Sequence, residues 1–369
     1  SLVMMQYLDF YPDILHAHDW QSALSVIYLK TIYKNTYGFD HVKAMFTIHN
    51  IEYQGKYDTG ILGDLFGLDG YYNDLELDDE FYSVVEYDNC INLMKGAMVL
   101  AEKVSTVSPS YAKEIKYDYF SHGLSTITNA LDYKTVGILN GIDEGFYNPK
   151  TDNCLFKNYT SRSLAGKAVC KAELQKMLGL PIKEDVPMIA MISRLVAHKG
   201  LDLVKAVLDE LLATTDVQFV VLGSGEWQYE SFFKEMADKY PDKMGLKIGF
   251  IPSLSKKIYA GCDLFLMPSK SEPCGLSQMI SLRYGTIPIV RETGGLRDSI
   301  KDSGDNEGNG FTFSTYNAHD MLYTIRRAIE GYSNKEGWNI LVKRAMECDN
   351  SWGKSANEYI RLYKEILKG

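Results

Sequence analysis

Six short strings set chemically useful groups at the ends of apolar runs. His16-Ala17-His18-Asp19-Trp20 places two imidazoles at i, i+2 beside a carboxylate. Two such histidines could ligate a metal, but no third ligand stands at a supporting spacing. Asp19 could accept hydrogen bonds from hydroxyls or cap a helix beginning near Gln21, and the residues alone leave both open. Thr47–Gly55 presents His49 and Asn50, either as a polar pair facing a ligand or as a satisfied loop histidine and its neighbour. Ser193–Gly200 carries Arg194 and Lys199, five residues apart. A forked guanidinium and a point ammonium together suit a diphosphate, with a solvated surface pair as the alternative. In Ser271–Gln278 the run Gly275-Leu276-Ser277 opens a helix and would direct N–H groups at an anion. Glu272 beside it repels phosphate but can hold sugar hydroxyls and favour developing positive charge. Thr293-Gly294-Gly295-Leu296 and Gly223-Ser224-Gly225-Glu226 are further Gly-rich turns, each weak alone because tight βα turns need glycine in any case.

The elements that must position these groups are legible as apolar runs. Strands are expected at Asp13–His16, Lys43–Ile48, Val104–Val107 and Val136–Leu139, then at Met188–Ile192, Gln218–Leu222, Leu246–Phe250, Leu264–Met267, Ile287–Val290 and Phe311–Phe313. Continuous runs such as Val217–Leu222 suit strands buried on both faces, as in parallel sheets. Helical spacing lies between them, as at Leu201, Val204, Leu208, Leu211 and Leu212. Alternation of this kind means α/β architecture with two doubly wound, Rossmann-like domains. The expected division is 1–150 and 151–352, with a C-terminal helix (353–369) packing back on the first domain. The first domain reads as incomplete at its N-terminus, because its first strand follows a single helical stretch, Leu2–Phe10. The Gly-, Tyr- and Asp-rich stretch Gly55–Glu80 lacks periodicity and reads as a long excursion. Polar clusters at strand ends are where open α/β sheets bind ligands. Anion-suited groups from the second domain and sugar-type contacts from the first predict a cleft for a nucleotide diphosphate sugar.

Composition narrows the partners. The chain has 369 residues and a net charge of −9, so general polyanion binding is disfavoured and no nucleic-acid partner is expected. No apolar stretch reaches the roughly 18 residues of a membrane span, and Ser1–Met5 shows no basic flank or cleavage site for a signal peptide. The six cysteines are scattered without a C-x-x-C pair, as for reduced thiols in a cytoplasmic protein. There is no G-x-G-x-x-G, no G-x-x-x-x-G-K-[ST] and no D-x-D in a suitable loop. These absences argue against a dehydrogenase, a P-loop NTPase and a metal-dependent transferase.

Taken in order, the strings resemble the bacterial glycogen synthase and plant starch synthase family, retaining glucosyltransferases of the GT-B fold. Besides those above, the match includes Val104–Pro109 (VSTVSP), Ile138–Asp143 (ILNGID) and Lys199-Gly200-Leu201-Asp202, and it spans nearly the whole chain. The resemblance implies transfer of glucose from ADP-glucose to the non-reducing end of an α-1,4-glucan, with no cofactor or metal. It implies that Arg194 and Lys199 bind the distal phosphate and stabilise departing ADP. Glu272, with the backbone of Cys274, Gly275 and Leu276, would hold the glucose. Ser277 and Thr293-Gly294-Gly295 would line the nucleotide side, and Phe250 would stack on adenine. His49 would meet the glucosyl 6-hydroxyl or the region of the anomeric centre. Asp19, Asn50 and Asn140 would meet sugar or acceptor. The family uses no obvious protein nucleophile, so the departing phosphate itself can take the acceptor proton on the same face.

Two departures stand out. The K-x-G-G-L segment that family members carry near the N-terminus is absent, as are roughly the first hundred residues of a family member. Phe250 stands where a tyrosine is expected, which keeps stacking and loses a hydroxyl. Ile280 replaces the second Glu of the E-x7-E pattern of related transferases, which fits the synthase branch. A UDP-sugar transferase of the sucrose or cell-wall type, or an inactive nucleotide- or glucan-binding fragment, are the competing readings. Nothing in the sequence specifies an oligomeric state.

Overall fold

The computed structural model describes residues 1–68 and 83–368. The chain divides into two compact units, Ser1–Leu139 with Ser355–Gly369, and Asn140–Lys354.

In the first unit the strands are β1 (Ile14–His18), β2 (Lys43–Ile48), β3 (Lys56–Tyr57), β4 (Glu86–Tyr87), β5 (Cys90–Asn92), β6 (Lys103–Thr106) and β7 (Thr135–Gly137). β1, β2, β6 and β7 form a parallel sheet in that order. The central strand β2 is buried along nearly its whole length, as an uninterrupted apolar run requires when helices cover both faces. β1 extends to His18 and therefore carries both histidines, where the sequence suggested an end at His16. Met45 and Ile138 pack with Leu362 and Ile366 of the C-terminal helix, Trp352–Lys368. Burying each of those two aliphatic side chains stabilises the unit by about 1.5–3 kcal/mol. The irregular stretch after Gly55 contributes β3, which joins β5 and β4 in a small antiparallel sheet. No period-2 signal announced these two- and three-residue strands. The remainder of the expected Gly55–Glu80 excursion, residues 69–80, lies outside the described residues.

The second unit holds β8 (Met188–Ile192), β9 (Gln218–Gly223), β10 (Met244–Ile248), β11 (Leu264–Met267), β12 (Ile287–Arg291) and β13 (Phe311–Phe313). All six are parallel, in the order β10-β9-β8-β11-β12-β13. Counted within the unit this is 3-2-1-4-5-6, the order of dinucleotide-binding sheets. The order reverses between β8 and β11, so the loops leaving those two strands diverge and open a crevice. The helix Leu201–Thr214 buries Leu201, Val204, Val207, Leu208, Leu211 and Leu212, the stripe that its spacing predicts. Two lysines of the helix Ala165–Leu178 are buried beneath the sheet. Lys167 Nζ donates to the carbonyls of Ala260 and Cys262 and to Thr286 Oγ1, while Lys171 Nζ pairs with Asp263 at 2.8 Å. Among the described residues no helix is long and apolar enough to cross a membrane.

Candidate active site

The crevice predicted by the strand order is a cavity of about 220 Å³ at the carboxyl ends of β8 and β11. Arg194, Lys199, Glu272, Gly275, Leu276 and Ser277 all line it. Arg194 is exposed, and its guanidinium makes no hydrogen bond or ion pair among the described residues. Lys199 ends a short 3-10 turn, Ala197–Lys199, and Gly200 follows at φ 74°. A Cβ on Gly200 would come within 2.0 Å of the Pro268 carbonyl oxygen, so only glycine lets the loop after β8 cross the loop after β11.

Glu272 is the buried acid of the cavity. Its Oε2 accepts from Lys199 Nζ at 2.7 Å and from Ser269 Oγ at 2.9 Å. No hydrogen bond is made by its Oε1 among the described residues, and Glu272 itself lines the cavity. The carboxylate is thus half committed, with one oxygen held and one left to receive hydroxyl protons. Arg291 fixes the loop from beneath: Nε donates to the Ser269 carbonyl at 2.9 Å and Nη2 to the Lys270 carbonyl at 2.5 Å. Neither Ser269 nor Arg291 was singled out in the sequence. Their signal is faint, because a buried serine and a strand-end arginine look like ordinary fold residues until their partners are known. Gln278 sits in the recognised string but had no role; its Nε2 donates to the carbonyls of Cys274 and Gly275 and to Ser299 Oγ.

Several predicted site residues stand apart from this cavity. Cys274 is buried, and burial pushes its thiol up to about 12, so it is inert at neutral pH. Thr293, Gly294 and Gly295 are buried below the Glu272–Cys274 segment and do not line the cavity. The Gly295 N–H donates to the Glu272 and Pro273 carbonyls at 3.1 Å. A Cβ on Gly294 would meet the Glu272 carbonyl oxygen at 2.0 Å. The turn therefore props up the glutamate loop. Phe250 follows β10, two strands away from β8, and is 90% exposed. Asn140 belongs to the second unit, whereas Asp19 and Asn50 belong to the first.

The first unit gathers Asp19, His49 and Asn50 at the carboxyl ends of β1 and β2. The helix Asp19–Lys30 begins at Asp19, and no side-chain cap bond is made. Instead Asp19 Oδ1 accepts from the backbone N–H of His49 at 2.7 Å and of Asn50 at 3.4 Å. Asp19 adopts φ 54°, a conformation that a short polar side chain tolerates when it is latched in this way. Asn50 Oδ1 accepts from Glu52 N at 3.0 Å and turns the loop back on itself. The first imidazole, His16, is saturated: Nδ1 faces Tyr363 Oη at 2.7 Å and Nε2 faces Thr47 Oγ1 at 2.6 Å. Burial, with the neighbouring His18 and His49, lowers its pKa to about 4. A second cavity of about 400 Å³ lies nearby, lined by Trp20, Tyr53, Tyr57, Glu52, Gln54 and His122. Flat aromatic faces beside polar groups suit a sugar ring, and Trp20 was legible only as the end of the first string.

Residues 1–130 match the starch synthase catalytic domain, and residues 175–342 match glycosyl transferases group 1. The chain is 46% identical over 369 residues to the glycogen synthase of Geobacillus thermodenitrificans, covering all of this chain and 74% of that protein. It is 49% identical to the glycogen synthase of Clostridium acetobutylicum, over 97% of this chain and 74% of the relative. The catalytic domain of starch synthase IV from Arabidopsis thaliana, solved bound to ADP and acarbose, superposes with a TM-score of 0.89 at 35% identity, over 100% of this chain and 76% of that one. Sucrose-phosphate synthase from Thermosynechococcus elongatus, at 15% identity and a TM-score of 0.60, shares the fold. Ordered strings, a 3-2-1-4-5-6 sheet with its cavity at the reversal, and identity to named synthases along nearly all of this chain converge: the chain belongs to the bacterial glycogen synthase family of GT-B glucosyltransferases.

Proposed function

We propose that the chain transfers glucose from ADP-glucose to the non-reducing end of an α-1,4-glucan with retention of configuration. The observation that carries the reading is the pairing of a cationic wall, Arg194 and Lys199, with the half-committed carboxylate of Glu272 in one cavity. The free guanidinium of Arg194 receives the distal phosphate. Lys199 has three N–H donors and uses one on Glu272, so it can bridge that carboxylate and a phosphate oxygen together. As the glycosidic bond to phosphate breaks, the negative charge on ADP grows beside two cations, and the positive charge on the sugar grows beside Glu272. A carboxylate already held by an ammonium and a hydroxyl is a weakened nucleophile, which favours proton transfer from the acceptor to the departing phosphate over attack by Glu272. His49, Asn50 and Asp19 serve the sugar side from the first unit, the last by fixing the backbone of the other two. Phe250, Ser277 and the Thr293-Gly294-Gly295 turn serve the nucleotide side, the turn indirectly through the glutamate loop. All six cysteines are free thiols, which supports a reducing cytoplasmic location.

The test is incubation of the chain with glycogen and radiolabelled ADP-glucose or UDP-glucose. Label entering glycogen from ADP-glucose, releasable by an α-1,4-specific hydrolase, is the expected result. Incorporation only from UDP-glucose, or binding of ADP without transfer, overturns the assignment.

A further inference from the structure

The string His16-Ala17-His18 places two imidazoles on the same face of β1, and only the first is saturated by hydroxyls. His18 Nδ1 lies 3.0 Å from His49 Nε2, across the gap between the ends of β1 and β2. Two neutral rings at that distance hold one proton between them, one nitrogen donating and the other accepting. His49 Nδ1 has no hydrogen-bond partner among the described residues, so its character as donor or acceptor follows from which state the shared contact imposes. The ring of His18 is itself fixed from behind. It stacks on His16 with centroids 4.2 Å apart and planes at 30°, and His16 is pinned by Tyr363 and by the Thr47–Ser105 hydroxyl pair.

We propose that His18 is a positioning residue for His49: its Nδ1 locks the His49 ring into one orientation and one tautomer, presenting Nδ1 of His49 to the sugar in a single chemical form. The proposal rests on the reading of His49 as a sugar-side residue. The titratable groups facing the pair are His16 and Asp19 from β1 and its helix, with Tyr359 and Tyr363 from the C-terminal helix on the His16 side. Partial burial and the facing His49 both lower the His18 pKa, while Asp19 opposes them, and the lowering favours a neutral His18 ring in this contact.

Two measurements on the full chain test this. In the 15N-histidine-labelled protein at pH 7.5, His49 should show one protonated and one bare ring nitrogen. In His18→Ala the two His49 shifts should converge toward tautomeric averaging, whereas His18→Asn, whose amide reaches the place of Nδ1, should restore a single form. Averaging in the parent chain, or a single unchanged tautomer in His18→Ala, overturns the proposal, and neither result requires turnover. In the glucosyl-transfer assay His18→Ala and His18→Gln should lower kcat about tenfold with KM for ADP-glucose within about twofold, and His18→Asn should recover most of the loss. A rise in KM at unchanged kcat, or equal loss in all three variants, contradicts a positioning role. His49→Ala is the control: full activity there removes the sugar-side reading of His49, while the labelled-histidine result still decides whether His18 sets its tautomer. Should His18→Ala misfold, the Asn and Gln variants carry both measurements.

Discussion

The two units solve the same problem, a polar cluster at the carboxyl ends of parallel strands, with different electrostatics. In the second unit the cluster is charged: Lys199 and Glu272 form a largely buried ion pair at 2.7 Å, with exposed Arg194 beside them. In the first unit imidazoles dominate: they contact hydroxyls and one another, burial keeps His16 uncharged, and the one carboxylate beside them, Asp19, is tied to the backbone N–H groups of His49 and Asn50. A diphosphate needs fixed cations, whereas a neutral sugar needs donors and acceptors without net charge. The two parallel sheets differ in strand order, β1-β2-β6-β7 against β10-β9-β8-β11-β12-β13, so the comparison teaches that the residues at the strand ends, rather than a shared topology, set the character of each cluster.

The contrast breaks first at the charged cluster. Replacing Lys199 or Glu272 by Ala should reduce kcat for glucosyl transfer by about two to three orders of magnitude, the scale of losing one preorganised electrostatic contact. Near-normal turnover in either variant, with circular dichroism confirming a folded chain, would remove the charged cavity from the chemistry.

A structural version of the same test is next in size. Gly294→Ala forces a Cβ to within 2.0 Å of the Glu272 carbonyl oxygen at φ 45°. It should cost about 3 kcal/mol or more and lower Tm by several degrees, with loss of transfer because the glutamate loop must shift. An unchanged Tm by calorimetry would show that the turn does not prop the loop.

The smallest effect sharpens the imidazole side. The His16 pKa falls from 6.5 to about 4 on folding, so the unfolded chain binds more protons between those values. The stability contributed by neutral His16 is therefore complete above pH 6.5 and is lost as pH falls toward 4, at about 2 kcal/mol for a partly buried ring. Hydrogen exchange between pH 4.5 and 7 should show protection falling with acid at β1 and β2, and His16→Asn should flatten that dependence. Equal acid sensitivity in the parent and the variant would place the effect elsewhere.

Much of this was legible in the sequence for a simple reason. Parallel strands buried on both faces must be written as unbroken apolar runs, so Met188–Ile192 or Leu264–Met267 announced themselves. The small antiparallel sheet of Lys56–Tyr57, Glu86–Tyr87 and Cys90–Asn92 did not, because two or three residues carry no period. Arg194, Lys199 and Glu272 were legible as charged residues at the ends of apolar runs, with a solvated surface pair as the alternative, and the fold brings all three to one cavity. Ser269 and Arg291 were hidden, since their work is to bond backbone carbonyls distant in sequence.

By itself, the sequence determined the residue types, their order and the alternation of strand and helix, because burial and periodicity act locally along the chain. Only the tertiary structure decided which oxygen of Glu272 is held and which is open, that the Gly294-Gly295 turn supports the site from below, and that His18 reaches His49. Those facts depend on close approaches between segments far apart in the chain, fixed by strand order and by steric limits of a few ångströms that no local pattern encodes.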